Sequence, residues 1–204
     1  MNGDNEQYFS DIPAFMNQPA ESLAALDDRL RGLLQDYARR EPSHDALAAG
    51  FSTLIDDSED PFCRERLAGH FTASCWLVSA DGQRLLLTHH RKLQRWLQLG
   101  GHADGDRDLA RVALKEGEEE SGLSGLVLDD PAIFDLDKHW IPERKDVPGH
   151  WHYDVRFVIR AMGGEGFVLS GESLDLAWRP LAEVAADPAS DESMQRMANR
   201  WLAR

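Results

Sequence analysis

The chain has 204 residues, is 42% hydrophobic and 28% charged, and carries a formal net charge of -14 at pH 7, which suits one sizeable core with a small helical appendage. Its acidity excludes phosphate-backbone binding, so no nucleic acid is expected as partner, whereas a small phosphorylated substrate stays open because a divalent cation inverts the local field. Two cysteines, Cys63 and Cys75, are too few for a disulfide framework, and neither a secretory leader nor a run of about 20 apolar residues is visible, so a reduced, cytoplasmic protein without a membrane span is expected.

Residues 1–20 are polar and dotted with proline, an extended or loosely docked lead-in. Between Glu21 and Arg40 the residues Leu23, Leu26, Leu30, Leu33, Leu34 and Tyr37 recur at helical spacing, and a second helix is expected over Asp45–Ile55, before the acidic loop DDSEDP. Residues 1–66 therefore read as a helical N-terminal extension that packs against the main domain or against a second copy in a homodimer. FTASCWLVS and RLLLTHH are apolar, β-rich runs joined by Ala80-Asp81-Gly82, a hairpin signal. The loop LGGHADGD opens a helix from about Asp108 to Ser121, which Gly122 ends. LSGLVLDD, AIFDLDKHWI and WHYDVRFVIRAM read as strands, FVLSGESLDLAW as a turn with a short strand, and Leu181–Val184 and Glu192–Leu202 as helices. Strands surrounding an internal helix make residues 67–204 an α/β (α+β) sandwich.

Glu116, Glu119 and Glu120 fall on one side of the internal helix, one turn apart. Their mutual repulsion, and their place near the helix C-terminus, are both unfavourable for anions. A compensating cation resolves the conflict, and oxygen-only donors suit Mg2+ or Mn2+ bridging to substrate phosphates. EGEEE taken alone is an ordinary solvated acidic face; the Gly-Gly loop ahead of the helix, where backbone approaches a ligand closely, favours the cation site.

This segment resembles the signature of the Nudix hydrolase superfamily, G-x5-E-x7-R-E-U-x-E-E-x-G-U with U aliphatic. With Gly101 as first glycine, Glu116, Glu119, Glu120, Gly122 and Leu123 fall in frame. The order of strands and the ESLDLAWRPLAEV segment extend the likeness over roughly residues 67 to 203. The resemblance implies an α/β/α sandwich of mixed sheet with a catalytic loop–helix–loop. It implies a Mg2+- or Mn2+-dependent hydrolase of a diphosphate linkage in a nucleoside diphosphate derivative or related nucleotide. Glu116, Glu119 and Glu120 would be catalytic metal ligands, with the carbonyl of Gly100 joining the shell. Three positions depart: Arg107 replaces a Glu, Lys115 an Arg and Gly117 an aliphatic residue. Asp106 or Asp108 is the candidate for the lost carboxylate, with Lys115 reaching a neighbouring acid as a point charge.

Glu172 is the outside candidate for general base, since relatives carry a further acidic residue in this region. Arg91, Lys92 and His102 are the candidate substrate contacts, two as cations just before the loop and the third beside its glycines. The remaining histidines, His89, His90, His139, His150 and His152, are scattered in sequence and read as structural or substrate-contact groups rather than a transition-metal site. Trp96, Trp140, Trp151 and Tyr153 are expected in the core rather than stacked on a base. Two alternatives share the scaffold. GGH and HHR resemble isopentenyl-diphosphate isomerases, but these carry a catalytic cysteine where this chain has Gly100. A non-catalytic nucleotide-sensing domain is favoured by the altered Arg107 and Lys115 and disfavoured by the intact glutamates.

Overall fold

The structure, a computed structural model, describes residues 21–91, 94–144, 147–169, 171 and 173–204. The lead-in, Lys92 and Glu172 lie outside the described residues. Helix α1 (Leu23–Arg40) begins at Ser22, whose Oγ accepts the Ala25 N–H, and α2 (Asp45–Ile55) follows a short 3-10 turn. The α1 stripe Leu30, Leu34 and Tyr37 and the α2 residues Phe51, Leu54 and Ile55 share one cluster with Phe71, Ala73, Cys75, Leu77 and Phe157. These helices complete the main core.

The sheet is mixed. Strand β1 (His70–Ser79) runs parallel to β7 (His150–Ala161), from His70 opposite His152 to Ser79 opposite Ala161. It runs antiparallel to β2 (Arg84–His90) and to β4 (Leu99–His102). Strands β5 (Leu126–Leu128) and β6 (Asp135–Ile141) pair antiparallel with β7, while β3 (Arg95–Leu97) and β8 (Ser173–Pro180) pair with β2. Because strand side chains alternate, β1 serves two cores. Phe71, Ala73, Cys75 and Leu77 face α1, α2 and α3 (Leu109–Ser121). Trp76 and Val78 face α4 (Leu181–Ala186) and α5 (Glu192–Leu202) through Leu181, Val184, Met194 and Met197. Helices on both faces of a mixed sheet make the expected sandwich. Among the described residues no helix is long and apolar enough to cross a membrane.

Strand β4 was expected as loop. Its Gly-Gly centre has no strand propensity, and its pairing with Thr72–Cys75 of β1 imposes the extended form. Trp140 and Trp151, expected in the core, are 50% and 37% exposed, opposite one another on β6 and β7 with rings edge to face at 5.3 Å.

One buried ionic network lies on the α5 side. Arg156 is bound by Asp154 at 2.8 Å and by Asp135 and Asp137 at 3.2 Å each. Burial opposes its charge, but the three carboxylates outweigh that and hold its pKa above the usual arginine value. Asp135, fully buried, also takes Arg196 at 2.7 Å, Arg200 at 3.1 Å and the Tyr37 hydroxyl at 3.3 Å. Burial, and then the Asp135 charge, push the Tyr37 phenol up to about 12.

Candidate active site

Helix α3 begins on Asp108, whose carboxylate accepts the Arg111 N–H, and ends on Gly122 at φ 66°, the left-handed cap expected of it. It crosses β1 at Gly117, where an added Cβ would lie 3.0 Å from Cys75 Sγ and 3.3 Å from Leu126 Cδ1. The absent aliphatic side chain is thus a close approach of helix to sheet. It brings the next turn of α3 down onto β4.

There the carboxylates meet the glycines. Glu120 Oε2 accepts the Gly100 N–H at 3.2 Å. The Glu116 carboxylate lies against Gly101, where an added Cβ would come within 2.5 Å of Oε2. A Cβ at Gly100 would meet Ser74 Oγ at 2.6 Å and the Ala73 carbonyl at 2.7 Å. Gly100 is therefore required by its closeness to the β1 backbone, whereas Gly101 leaves the space that the Glu116 carboxylate fills. Glu119 is exposed, with Lys115 Nζ 3.6 Å away. The three glutamates and the Gly100–Gly101 backbone form an oxygen-rich edge, half of it shielded and half open.

Lys115 reaches a neighbouring acid, Glu119, as expected, but the rest of the altered support has a different logic. Asp106 is taken by Arg111 through both oxygens, at 2.8 and 2.6 Å, and Asp108 caps α3 while pairing with Arg29 at 2.8 Å. Neither is bonded to Lys115. Arg107 turns away from α3, reaching Asp27 of α1 at 2.7 Å and Asp60 at 3.2 Å, with its guanidinium 4.6 Å over the Phe62 ring. The signature's pair within the motif is replaced by a tether from the loop to the N-terminal helices.

Arg91 donates to the carbonyls of Gly171 at 3.3 Å and Ser173 at 3.0 Å, on either side of Glu172. Cys75, beneath Gly117, is buried; burial and then the Glu120 charge raise its pKa well above the ordinary thiol value. No thiol stands in the loop where the isomerases carry one.

The histidines sort by face. His102 lies opposite Thr72, so it points away from α3, onto the side where the parallel register sets His70 beside His152. The His102 ring is 5.1 Å from those of His70 and His152, and His150 is 4.9 Å from His70. His139 of β6 adjoins His152 at 5.4 Å. Sequence scatter is not spatial scatter here, and His70 was missed altogether; the parallel pairing of β1 with β7 is what gathers them. Burial, followed by Arg64 and His70, lowers His102 to about 4. Burial, followed by His102 and His70, lowers His152 to about 2. Those imidazoles are neutral at pH 7. His89 lies elsewhere, stacked on Trp96 at 5.1 Å.

A model of the NUDIX domain matches residues 69–200. No curated protein matches the chain. Among solved structures, a NUDIX-family hydrolase from Clostridium perfringens is similar with TM-score 0.50 and 20% identity, covering 66% of this chain and 96% of that one. The MutT protein from Methanosarcina mazei Go1 is similar with TM-score 0.51 and 18% identity, covering 68% and 96%. The E. coli dihydroneopterin triphosphate pyrophosphohydrolase gives TM-score 0.50 and 14% identity, covering 65% and 94%. At these identities the likeness is one of fold.

Proposed function

The chain belongs to the NUDIX domain family, and from that premise we propose that it hydrolyses the diphosphate linkage of a nucleoside diphosphate derivative or related nucleotide with a divalent cation. The observation that carries this reading is the convergence of Glu116 and Glu120 on the Gly100–Gly101 backbone, with Glu119 open to solvent on the same helix. Such an all-oxygen donor set fits Mg2+ or Mn2+, held by Glu116, Glu119, Glu120 and the Gly100 carbonyl. When bound there, such an ion would supply charge against the phosphate oxygens and lower the pKa of a water.

The chain's own residues do the rest. Lys115 pairs with the Glu119 carboxylate from the preceding turn of α3. Glu172 accepts the proton of the attacking water, and Arg91 steadies the segment that carries it by binding the carbonyls of Gly171 and Ser173. Lys92 meets a substrate phosphate as a point charge. His102, neutral and next to Gly101, offers a hydrogen bond to the bound substrate without adding charge. A reducing, cytoplasmic setting suits the free thiols of Cys63 and Cys75.

The test is phosphate release from a panel of nucleoside diphosphate derivatives, dinucleotides and nucleoside triphosphates with Mg2+ or Mn2+. Dihydroneopterin triphosphate is included because the E. coli neighbour is its pyrophosphohydrolase. Turnover by the wild type, falling about 100-fold or more in Glu119→Gln and Glu120→Gln, supports the reading. Tight nucleotide binding with no metal-dependent release from any substrate would replace it with a sensing domain.

A further inference from the structure

We propose that His70, His150 and His152 form a second metal site, for Zn2+ or a similar nitrogen-preferring transition ion, on the sheet face opposite the glutamates. One ligand atom from each of the three lies within 4.8 Å of the others. The hydrogen bonds of two of the rings, His70 and His150, already present them as ligands. His70 Nδ1 is 3.2 Å from the Arg66 carbonyl, and His150 Nδ1 is 2.8 Å from the Pro148 carbonyl. A carbonyl only accepts, so each Nδ1 carries the proton and each Nε2 presents a lone pair. Backbone partners of this kind are what fix the tautomer of metal-bound imidazoles.

The free ends meet one another. His70 Nε2 is buried with no hydrogen-bond partner among the described residues, and such a buried atom carries a cost unless something fills its place. His150 Nε2 and His152 Nε2 are 3.2 Å apart. A tetrahedral ion with Zn–N bonds of about 2.05 Å sets its ligand nitrogens about 3.3 Å apart, so one edge of the site is already at that spacing. Without an ion, His152 donates its Nε2 proton to His150. With its proton on Nδ1 instead, His152 offers a third lone pair, and no net charge changes.

Packing alone does not call for this arrangement. His70 and His150 are 1% and 6% exposed, and apolar residues fill comparable buried positions further along β1 and β7. Neutral imidazoles select Zn2+ and its transition-metal neighbours, whereas the glutamate edge selects Mg2+ or Mn2+. Three protein ligands leave a fourth position, and His102, with its ring 5.1 Å from those of His70 and His152, stands beside it.

Direct binding tests the site independently of hydrolysis. Chelator-treated protein is titrated with Zn2+ and with Co2+ in excess Mg2+, followed by calorimetry and by the visible spectrum of Co2+. One tightly held ion is expected, with the absorption of low-coordinate, nitrogen-ligated Co2+. That ion is lost in His70→Gln and His150→Gln and kept in Glu119→Gln and Glu120→Gln. Nitrogen NMR of the wild-type imidazoles removes dependence on variant folding: Zn2+ should shift Nε2 of His70 and His150 while their Nδ1 protons remain. No binding of either ion, unmoved imidazole resonances, or binding lost in Glu120→Gln but kept in His150→Gln overturns the proposal.

Discussion

Replacing Gly101 with Ala separates the stability of the fold from the working of the site. The new Cβ would stand 2.5 Å from Glu116 Oε2, while ordinary contact begins near 3.4 Å, so the carboxylate must retreat by about 0.9 Å. It is the far end of a flexible side chain and gives way cheaply. The backbone at Gly101 does not have a positive φ, so Ala fits and removes unfolded-state freedom worth about 0.4–1 kcal/mol. Thermal stability should hold or rise slightly. If Glu116 is the metal ligand proposed above, displacing its carboxylate by most of an ångström should lower kcat about 100-fold, the usual consequence of misplacing a reacting group by about 1 Å. Thermal unfolding and a Mg2+-dependent phosphate-release assay on the same preparation measure both quantities. Turnover within about threefold of wild type would refute the placement of Glu116 in the metal site. A collapse in Tm would refute the claim that only the side chain yields.

Gly117→Ala gains about 1 kcal/mol of helix propensity but drives a methyl group to 3.0 Å from Cys75 Sγ. We expect net destabilisation of about 1 kcal/mol by urea unfolding, relieved in the double variant with Cys75→Ala. Arg107→Glu restores the residue of the family signature yet should destabilise by about 2–3 kcal/mol, because it faces Asp27 and Asp60; an unchanged Tm would discount the tether. Asp135→Ala strips a fully buried acceptor from Arg156, Arg196 and Arg200 and should cost about 3–5 kcal/mol in denaturant unfolding. For Tyr37 the folded pKa of about 12 exceeds the ordinary phenol value of 10.0. The neutral phenol therefore contributes stability that is whole below pH 10.0 and lost as pH rises through about 12. Tyr37→Phe should be weaker at neutral pH and lose less stability than wild type across that window, measured by alkaline urea titrations.

Local signals in the sequence carried the helices well. The leucine spacing of α1, the bounds of α2 and the Gly122 cap of α3 rest on neighbours within a turn or two, and the structure has them where periodicity puts them. The β1–β2 hairpin was legible for the same reason. What escaped depends on partners far along the chain. Strand β4 exists because β1 pairs with it, and the histidine group exists because β1 and β7 are parallel in one register. Arg107 looked like a damaged catalytic support until Asp27, 80 residues away, supplied its partner. Gly117 looked like a helix defect until Cys75 appeared beneath it. Trp140 and Trp151 misled because a strand position does not say which face is covered, and theirs is left half open. The glutamate edge was legible because its frame is local; its proposed base and phosphate cation rest on Glu172 and Lys92, outside the described residues.

Strand β4 leaves one further consequence. Gly101 turns to the carboxylates and His102, one peptide later, turns to the imidazoles. Inserting or deleting a single residue between Leu99 and His102 would exchange the two sides, setting an imidazole among the glutamates and withdrawing it from the other histidines. The length of this loop is therefore held more tightly than its composition. Natural variants should keep the count of residues from Leu99 to His102, and should change Asp104 and Gly105, at φ 49° and 87°, only to residues that adopt the left-handed region.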